Sequence, residues 1–115
     1  MIAGKYNFVI EQGATFTRVL TWKDSTGTAV NLTGYTARMQ LREITESGTV
    51  ILSLTTENSR ISLGGSAGTV TLTILAADTT TMSPGSYVYD LELITGATVY
   101  RLVQGTATVS AEVTR

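Results

Sequence analysis

Two carboxylates on one predicted strand are the side chains best placed to do acid–base chemistry. Asp90 and Glu92 are separated by a single residue, so both point to the same face of a β-strand. Paired carboxylates act as acid and base in glycoside hydrolysis, within a cleft that also binds the sugar. The spacing therefore raises the hypothesis of a hydrolase.

The same two acids also have a purely structural interpretation. Arg38 and Arg42 point to one face of an earlier predicted strand, and that face is the most basic surface in the sequence. If this strand neighbours the strand of Asp90 and Glu92, the four side chains form a cross-strand charge ladder. We favour the ladder over catalysis.

Two further segments have the composition of ligand-binding loops. Asp24 is followed by two hydroxyl residues, but a calcium loop supplies several carboxylates at short spacing. Residues 64–68 are glycine-rich like a phosphate-binding loop, but they lack the Lys-Ser/Thr ending and precede a strand instead of a helix. We interpret the first segment as an Asp-initiated turn and the second as a hairpin connection.

The composition excludes several catalytic classes. The 115 residues include no cysteine and no histidine, so a Ser-His-Asp triad, a cysteine nucleophile and the common zinc sites are excluded. Eight basic and nine acidic residues give a net charge of −1 without a run of either sign, which does not indicate nucleic-acid binding. We therefore expect neither an enzyme nor a cofactor, metal or nucleic-acid partner.

No targeting or membrane segment is predicted. The first residues are not a basic region followed by a long apolar stretch, so we expect no signal peptide. No apolar run approaches the roughly 20 residues that a membrane helix needs.

The side chains discussed above are positioned by strands, because apolar residues alternate with a period of two along most of the chain. The clearest alternation runs from Tyr87 to Ile94. Residues 75–82 fit a short helical crossing before a Pro-Gly turn, residues 29–34 fit a loop, and residues 46–48 fit a turn. Strands are predicted over residues 6–12, 15–23, 35–43, 49–54, 60–63, 69–74, 87–94 and 98–110.

This pattern predicts the fold class. About seven to nine short strands, with turns roughly every ten residues, are typical of an all-β antiparallel sandwich. We expect one domain over residues 1–115, with a short helical turn near residues 75–82.

Two residues depart from the strand pattern. Arg18 shares the inward face of its strand with Phe16, Leu20 and Trp22. Either its stem lies along the edge of the core with its head in water, or a bulge shifts the register, and we favour the first. Gly105, inside the last strand, indicates a bulge or a close approach of another backbone.

The segment around the crossing resembles the connection between strands E and F of immunoglobulin-like domains. In that resemblance Asp78 is the acidic residue of the helical turn, Tyr87 takes the place of the tyrosine corner, and Tyr89 stands where antibody domains have their second cysteine. It implies an Ig-like sandwich in which the buried Tyr87 phenol bonds a backbone group between residues 76 and 82. The absent cysteines, and Trp22 on the second strand, differ from the antibody pattern.

A broader likeness covers most of the chain. The segments that carry it are residues 20–42, Ile61-Ser-Leu-Gly-Gly, and the stretches that begin at Tyr87 and Arg101. Together they resemble small structural proteins of tailed bacteriophages, such as the Ig-like N-terminal domain of the baseplate upper protein. The resemblance implies a virion component, assembled in the bacterial cytoplasm, that contacts other virion proteins or further copies of itself in the tail, baseplate or head. It transfers no functional residues.

A docking strand is also predicted from the sequence. In residues 49–54 Val50, Leu52 and Leu54 are expected inward, which leaves Ile51 outward on a strand without lysine, proline or charge. An open edge of this kind recruits other chains. The alternative is that Ile51 packs beside an outward apolar neighbour such as Val88.

A carbohydrate-binding sandwich is the alternative function. Such a module needs exposed aromatic rings, and only Tyr35 and Tyr100 remain for this role. The other six aromatic residues discussed are assigned to core faces: Tyr6, Phe8, Phe16, Trp22, Tyr87 and Tyr89.

Overall fold

Two β-sheets packed face to face make up the computed structural model, which describes residues 4–44 and 49–113. One α-helical turn, α1 (Ala76–Thr79), and a 3-10 turn (Gly65–Ala67) interrupt the strands. The predicted turn at residues 46–48 lies outside the described residues. The strands of the described chain are β1 (Gly4–Lys5), β2 (Phe8–Glu11), β3 (Phe16–Thr21), β4 (Thr36–Arg42), β5 (Leu52–Thr55), β6 (Ile61–Leu63), β7 (Thr69–Ile74), β8 (Gly85–Thr95) and β9 (Thr98–Ser110).

The sheet order is that of an immunoglobulin-like sandwich, which confirms the predicted fold class. The larger sheet has the order β1-β9-β8-β4-β5, with β2 also paired to β9, and the smaller has the order β3-β7-β6. Strands β4, β8 and β9 thus occupy positions C, F and G, while β3, β7 and β6 occupy B, E and D. One detail differs from the prediction, because β1 and β2 pair with β9 in parallel.

The core lies between the sheets and follows the predicted alternation. On β4 the inward side chains Ala37, Met39 and Leu41 are buried, and on β8 Leu91 and Leu93 are fully buried. Each buried leucine contributes about 1.5–3 kcal/mol relative to an exposed one.

Strand β3 keeps an unbroken register, which resolves the position of Arg18. Its residues pair continuously with β7 from Phe16 to Thr21, so there is no bulge. The Arg18 guanidinium donates to the Tyr6 hydroxyl and lies 5.8 Å from the Tyr6 ring centre and 5.4 Å from that of Phe16. The unbroken register excludes the bulge, and the stem lies along the core edge as expected, but the head contacts the Tyr6 and Phe16 rings instead of extending freely into water.

Gly105 marks a close backbone approach. A Cβ at this position would lie 2.3 Å from the carbonyl oxygen of Tyr6. The bulge in this hairpin lies elsewhere, because Leu91 opposes Val103 whereas Glu92 opposes Arg101.

The prediction that Ile51 faces outward on a strand over residues 49–54 is wrong. Strand β5 begins at Leu52, so the period-two alternation does not extend back to Ile51. Ile51 is half-buried against the core, and its amide donates to the Leu41 carbonyl (2.8 Å). It is therefore not an outward-facing surface residue.

Candidate functional site

The charge ladder predicted from the sequence lies on the outer face of the larger sheet. Strand β4 pairs with β8 so that Arg38 opposes Glu92, and the Arg38 Nε lies 2.7 Å from the Glu92 Oε1. Both side chains are partly exposed, so this pair contributes at most about 1 kcal/mol. The predicted contact of strands C and F is thus confirmed.

Asp90 has a partner that the sequence reasoning missed. Its Oδ2 lies 3.4 Å from the Arg101 Nε on β9, whereas Gln40 occupies the opposing position on β4. Arg42 opposes Val88 and donates to the Gln40 Oε1 (2.8 Å), on the same outer face as Arg38, Asp90 and Glu92, as predicted. The sequence signal that could have predicted the Asp90–Arg101 pair is the tight hairpin after Thr95. It places Arg101 opposite Glu92 and so brings its guanidinium beside both acids of β8.

These residues surround an open hollow of about 640 Å³ on the sheet. Both carboxylates are engaged by guanidinium groups, Glu92 by Arg38 and Asp90 by Arg101. This arrangement favours a structural role for the two acids over acid–base catalysis.

The two loop candidates adopt the structures expected of turns. Oδ1 of Asp24 accepts hydrogen bonds from the Thr26 amide (2.9 Å) and hydroxyl (2.6 Å) and from the Thr28 amide (3.0 Å). The Thr26 hydroxyl, followed by the Thr28 amide, lowers the pKa of the Asp24 carboxyl. Residues 64–68 connect β6 to β7, as predicted, through the 3-10 turn.

The tyrosine corner is present with a different backbone partner. Tyr87 is buried, and its hydroxyl donates to the Ser83 carbonyl at 2.6 Å. The predicted partner lay between residues 76 and 82, so that range ended one residue too early. Asp78 pairs with Arg60 at 3.1 Å, and Asp78, Tyr87 and Ile51 border a second hollow of about 320 Å³.

The free edge of β5 is protected by side chains from the following segment. Asn58 accepts from the Thr55 amide (2.9 Å) and donates to the Ser53 carbonyl (3.0 Å), and Arg60 also donates to that carbonyl (2.9 Å). The edge position predicted for this strand is confirmed. Its expected lack of protection is wrong, because Asn58 and Arg60 lie later in the sequence.

Three half-buried aromatic rings cluster where β3 ends and β4 and β9 begin. Trp22, predicted to lie in the core, is only partly buried. Its ring centre lies 6.3 Å from that of Tyr35 and 5.4 Å from that of Tyr100. The period-two pattern gave the face of Trp22 but not its position at the end of the sandwich.

The outer face of the smaller sheet is uncharged along its paired strands. On β3 it presents Thr17, Val19 and Thr21, with Val19 55% exposed. The residues opposite them on β7 are Thr73, Thr71 and Thr69, and Ser62 on β6 opposes Thr71. This surface contrasts with the charged outer face of the larger sheet.

Residues 4–44 and 49–113 contain neither a cluster of metal ligands nor a membrane-spanning helix. No group of three or more Asp, Glu, His or Cys side chains in this part of the chain could hold a metal ion. No helix within it has the length and apolarity needed to cross a membrane. No family model matches the chain, and no curated protein sequence matches it significantly.

Proposed function

We propose that this protein is a non-enzymatic structural module of a tailed-bacteriophage particle, assembled in the bacterial cytoplasm, that works through contacts with other proteins of that particle. The likeness of the sequence to Ig-like phage structural proteins supports the phage assignment. The engagement of Asp90 and Glu92 by arginines supports a structural role over a catalytic one.

The observation that carries the proposal is the uncharged outer face of the smaller sheet beside its open β3 edge. Its outer face, formed mainly by threonine side chains and Val19, bears no charge on β3, β6 or β7. Strand β3, six residues long, is also the end strand of this sheet. An uncharged face beside an open strand edge is a surface on which another polypeptide can pack and hydrogen-bond.

Analysis of purified particles tests this role. We expect mass spectrometry of phage particles, purified from a host that carries this gene within its phage genome, to detect the chain in a fixed ratio to the major capsid protein. Cryo-electron microscopy of the same particles should show the sandwich in contact with neighbouring subunits. Complete absence of the chain from particles that are otherwise intact would contradict the proposal.

A carbohydrate-binding module is the alternative, favoured by the cluster of Trp22, Tyr35 and Tyr100. Aromatic rings at a surface bind the apolar faces of sugars, although these two tyrosines meet the Trp22 ring at 84° and 57° instead of forming one flat platform. Trp22 is the only tryptophan, so its fluorescence reports on this cluster alone. A saturable fluorescence change on titration with bacterial-surface oligosaccharides would support this alternative over the structural role.

A further inference from the structure

One sheet edge of the described chain is both long and unprotected. The β5 edge is bonded by Asn58 and Arg60, and β6 has only three residues. At the opposite end of the larger sheet, β1 and β2 are separate short strands. Strand β3, with six residues, is longer than the edge strands β1, β2, β5 and β6. It therefore forms the edge best able to pair with another strand.

The backbone groups that face this open edge can be identified. The Trp22 amide donates to the Gly68 carbonyl (2.8 Å), in the same register as the β3–β7 ladder. Because bonding alternates along an antiparallel pair, the even-numbered residues of β3 bond β7. Thr17, Val19 and Thr21 therefore turn their N–H and C=O groups toward the open side.

We propose that two copies of this chain pair antiparallel through β3, with Val19 of each copy opposite Val19 of the other. The two smaller sheets then form one continuous sheet across the contact. Thr17 of each copy opposes Thr21 of the other, so every outward N–H and C=O of these three residues is bonded.

Side-chain charge favours this register over one of its two neighbours. Shifting the strands by one step in one direction places Arg18 opposite Arg18 of the second copy, and like charges directly opposite are destabilising. In the proposed register Arg18 opposes Leu20. On the outer face Val19 meets Val19 and threonine meets threonine, which are favourable β-branched pairs.

The contact is small, which determines its strength. Pairing through six residues buries less than the roughly 1,200 Å² typical of stable complexes, so the free chain dimerises weakly. A high local concentration, as on a particle surface, raises the occupancy of such a contact. The inference deepens the structural role proposed above and rests on it for its biological setting.

Charge substitutions at the two-fold position test the pairing and its register together. We expect sedimentation of the full chain, up to millimolar concentration, to show a concentration-dependent dimer. Val19→Lys and Val19→Glu should each weaken dimerisation about tenfold or more, because like charges then face each other. Mixing the two variants should restore a salt-sensitive heterodimer, since Lys then faces Glu.

A matched substitution on the other sheet provides the control. Val99 is 46% exposed and lies on β9, so Val99→Lys adds the same charge without touching β3. It should dimerise like the wild type. A wild-type chain that stays monomeric at millimolar concentration, or Val19 variants that do not recombine, would overturn the pairing.

A second variant covers the case in which Val19→Lys does not fold. Val19→Pro removes an N–H that faces the open side and bonds no neighbour on β7, which an edge strand tolerates. Circular dichroism checks its fold, and sedimentation should show loss of the dimer.

The pairing and the structural role can fail independently. If the wild-type chain is monomeric but present in particles, the pairing fails and the structural role stands. If it dimerises but is absent from particles, the structural role fails and the pairing stands.

Discussion

The phenol of Tyr89 joins three parts of the larger sheet. Its hydroxyl donates to the Tyr6 carbonyl, between β1 and β2, and its ring centre lies 4.8 Å from that of Phe8. Burial, with a smaller contribution from Tyr6, raises the pKa of Tyr89 from 10.0 to about 12. The folded protein therefore holds this phenol in its neutral form beyond the pH at which an exposed tyrosine ionises.

This raised pKa predicts a loss of stability in alkaline solution. Between pH 10 and about pH 12 the unfolded chain has released the Tyr89 proton while the folded chain retains it, so stability falls as pH rises. We expect the melting temperature of the wild type to fall more steeply over this interval than that of Tyr89→Phe. Thermal unfolding in a pH series measures both slopes, and equal slopes would contradict the assignment.

At the residue scale, the sequence predicted the sheet face of a side chain better than its hydrogen-bond or ion-pair partner. Tyr87 was expected to bond the preceding crossing, and it does, but the accepting carbonyl belongs to Ser83. The partner depends on how the chain turns at Pro84, which side-chain periodicity does not encode. Asp90 was likewise placed on the correct face, while its pairing with Arg101 depends on the register of the β8–β9 hairpin.

At the element scale, Gly105 allows the chain to bend between β1 and β2. The Tyr6 amide donates to the Gln104 carbonyl (3.0 Å), and the Asn7 Oδ1 accepts from the Thr106 amide (2.9 Å). These two bonds carry the pairing across the gap between β1 and β2. The gap lies over Gly105, where the Tyr6 carbonyl occupies the space of a side chain.

We expect Gly105→Ala to lower the free energy of unfolding by about 1–3 kcal/mol, because its Cβ displaces the Tyr6 backbone. Gly4→Ala is the matched control on the same pair of strands, since its Cβ would lie 3.7 Å from Val103, an ordinary contact. Urea denaturation of the two variants measures the difference. Equal denaturation midpoints of the two variants would show that the segment between β1 and β2 moves aside without loss of stability.

Strand positions were largely predictable, whereas strand pairing was not. The predicted bounds 69–74 and 98–110 agree with β7 and β9, because alternation and flanking glycines mark both strands. The parallel pairing of β2 with β9 leaves no such mark in the sequence, since alternation is the same in either direction. Protection of the β5 edge by Asn58 and Arg60 was also missed, because it is formed by residues beyond the strand.

At the scale of the whole molecule, Thr79 joins two connections that cross between the sheets. It is the buried polar residue of α1, which links β7 to β8. Its hydroxyl accepts from the Gly13 amide (3.1 Å) and lies 2.8 Å from the Ala14 carbonyl, to which it donates. Those residues form the turn from β2 to β3, so the hydroxyl links both crossings, as the bond from the Gln12 Nε2 to the Met82 carbonyl (2.9 Å) also does.

Replacing this hydroxyl should destabilise the entire sandwich. Thr79→Val keeps the shape but leaves a backbone N–H and C=O without their partner, which costs about 1–3 kcal/mol of unfolding free energy. Thr79→Ser keeps the hydroxyl and loses one methyl group, so we expect it to cost less, near 1 kcal/mol. Calorimetry that ranks the serine variant below the valine variant in stability would refute this role.

The parallel pairing of β1 and β2 with β9 determines how the domain bears tension. Gly4 opposes Val103 and Glu11 opposes Ser110, so the chain enters and leaves this sheet in the same direction along adjacent strands. Pulling Gly4 and Ser110 apart slides the strands past each other and loads their hydrogen bonds simultaneously, in shear. Pulling from Gly4 and Gly96 instead peels the bonds one at a time. Single-molecule force spectroscopy should therefore record a higher rupture force for the first geometry, so the resistance of this sandwich to stretching depends on the axis along which it is pulled.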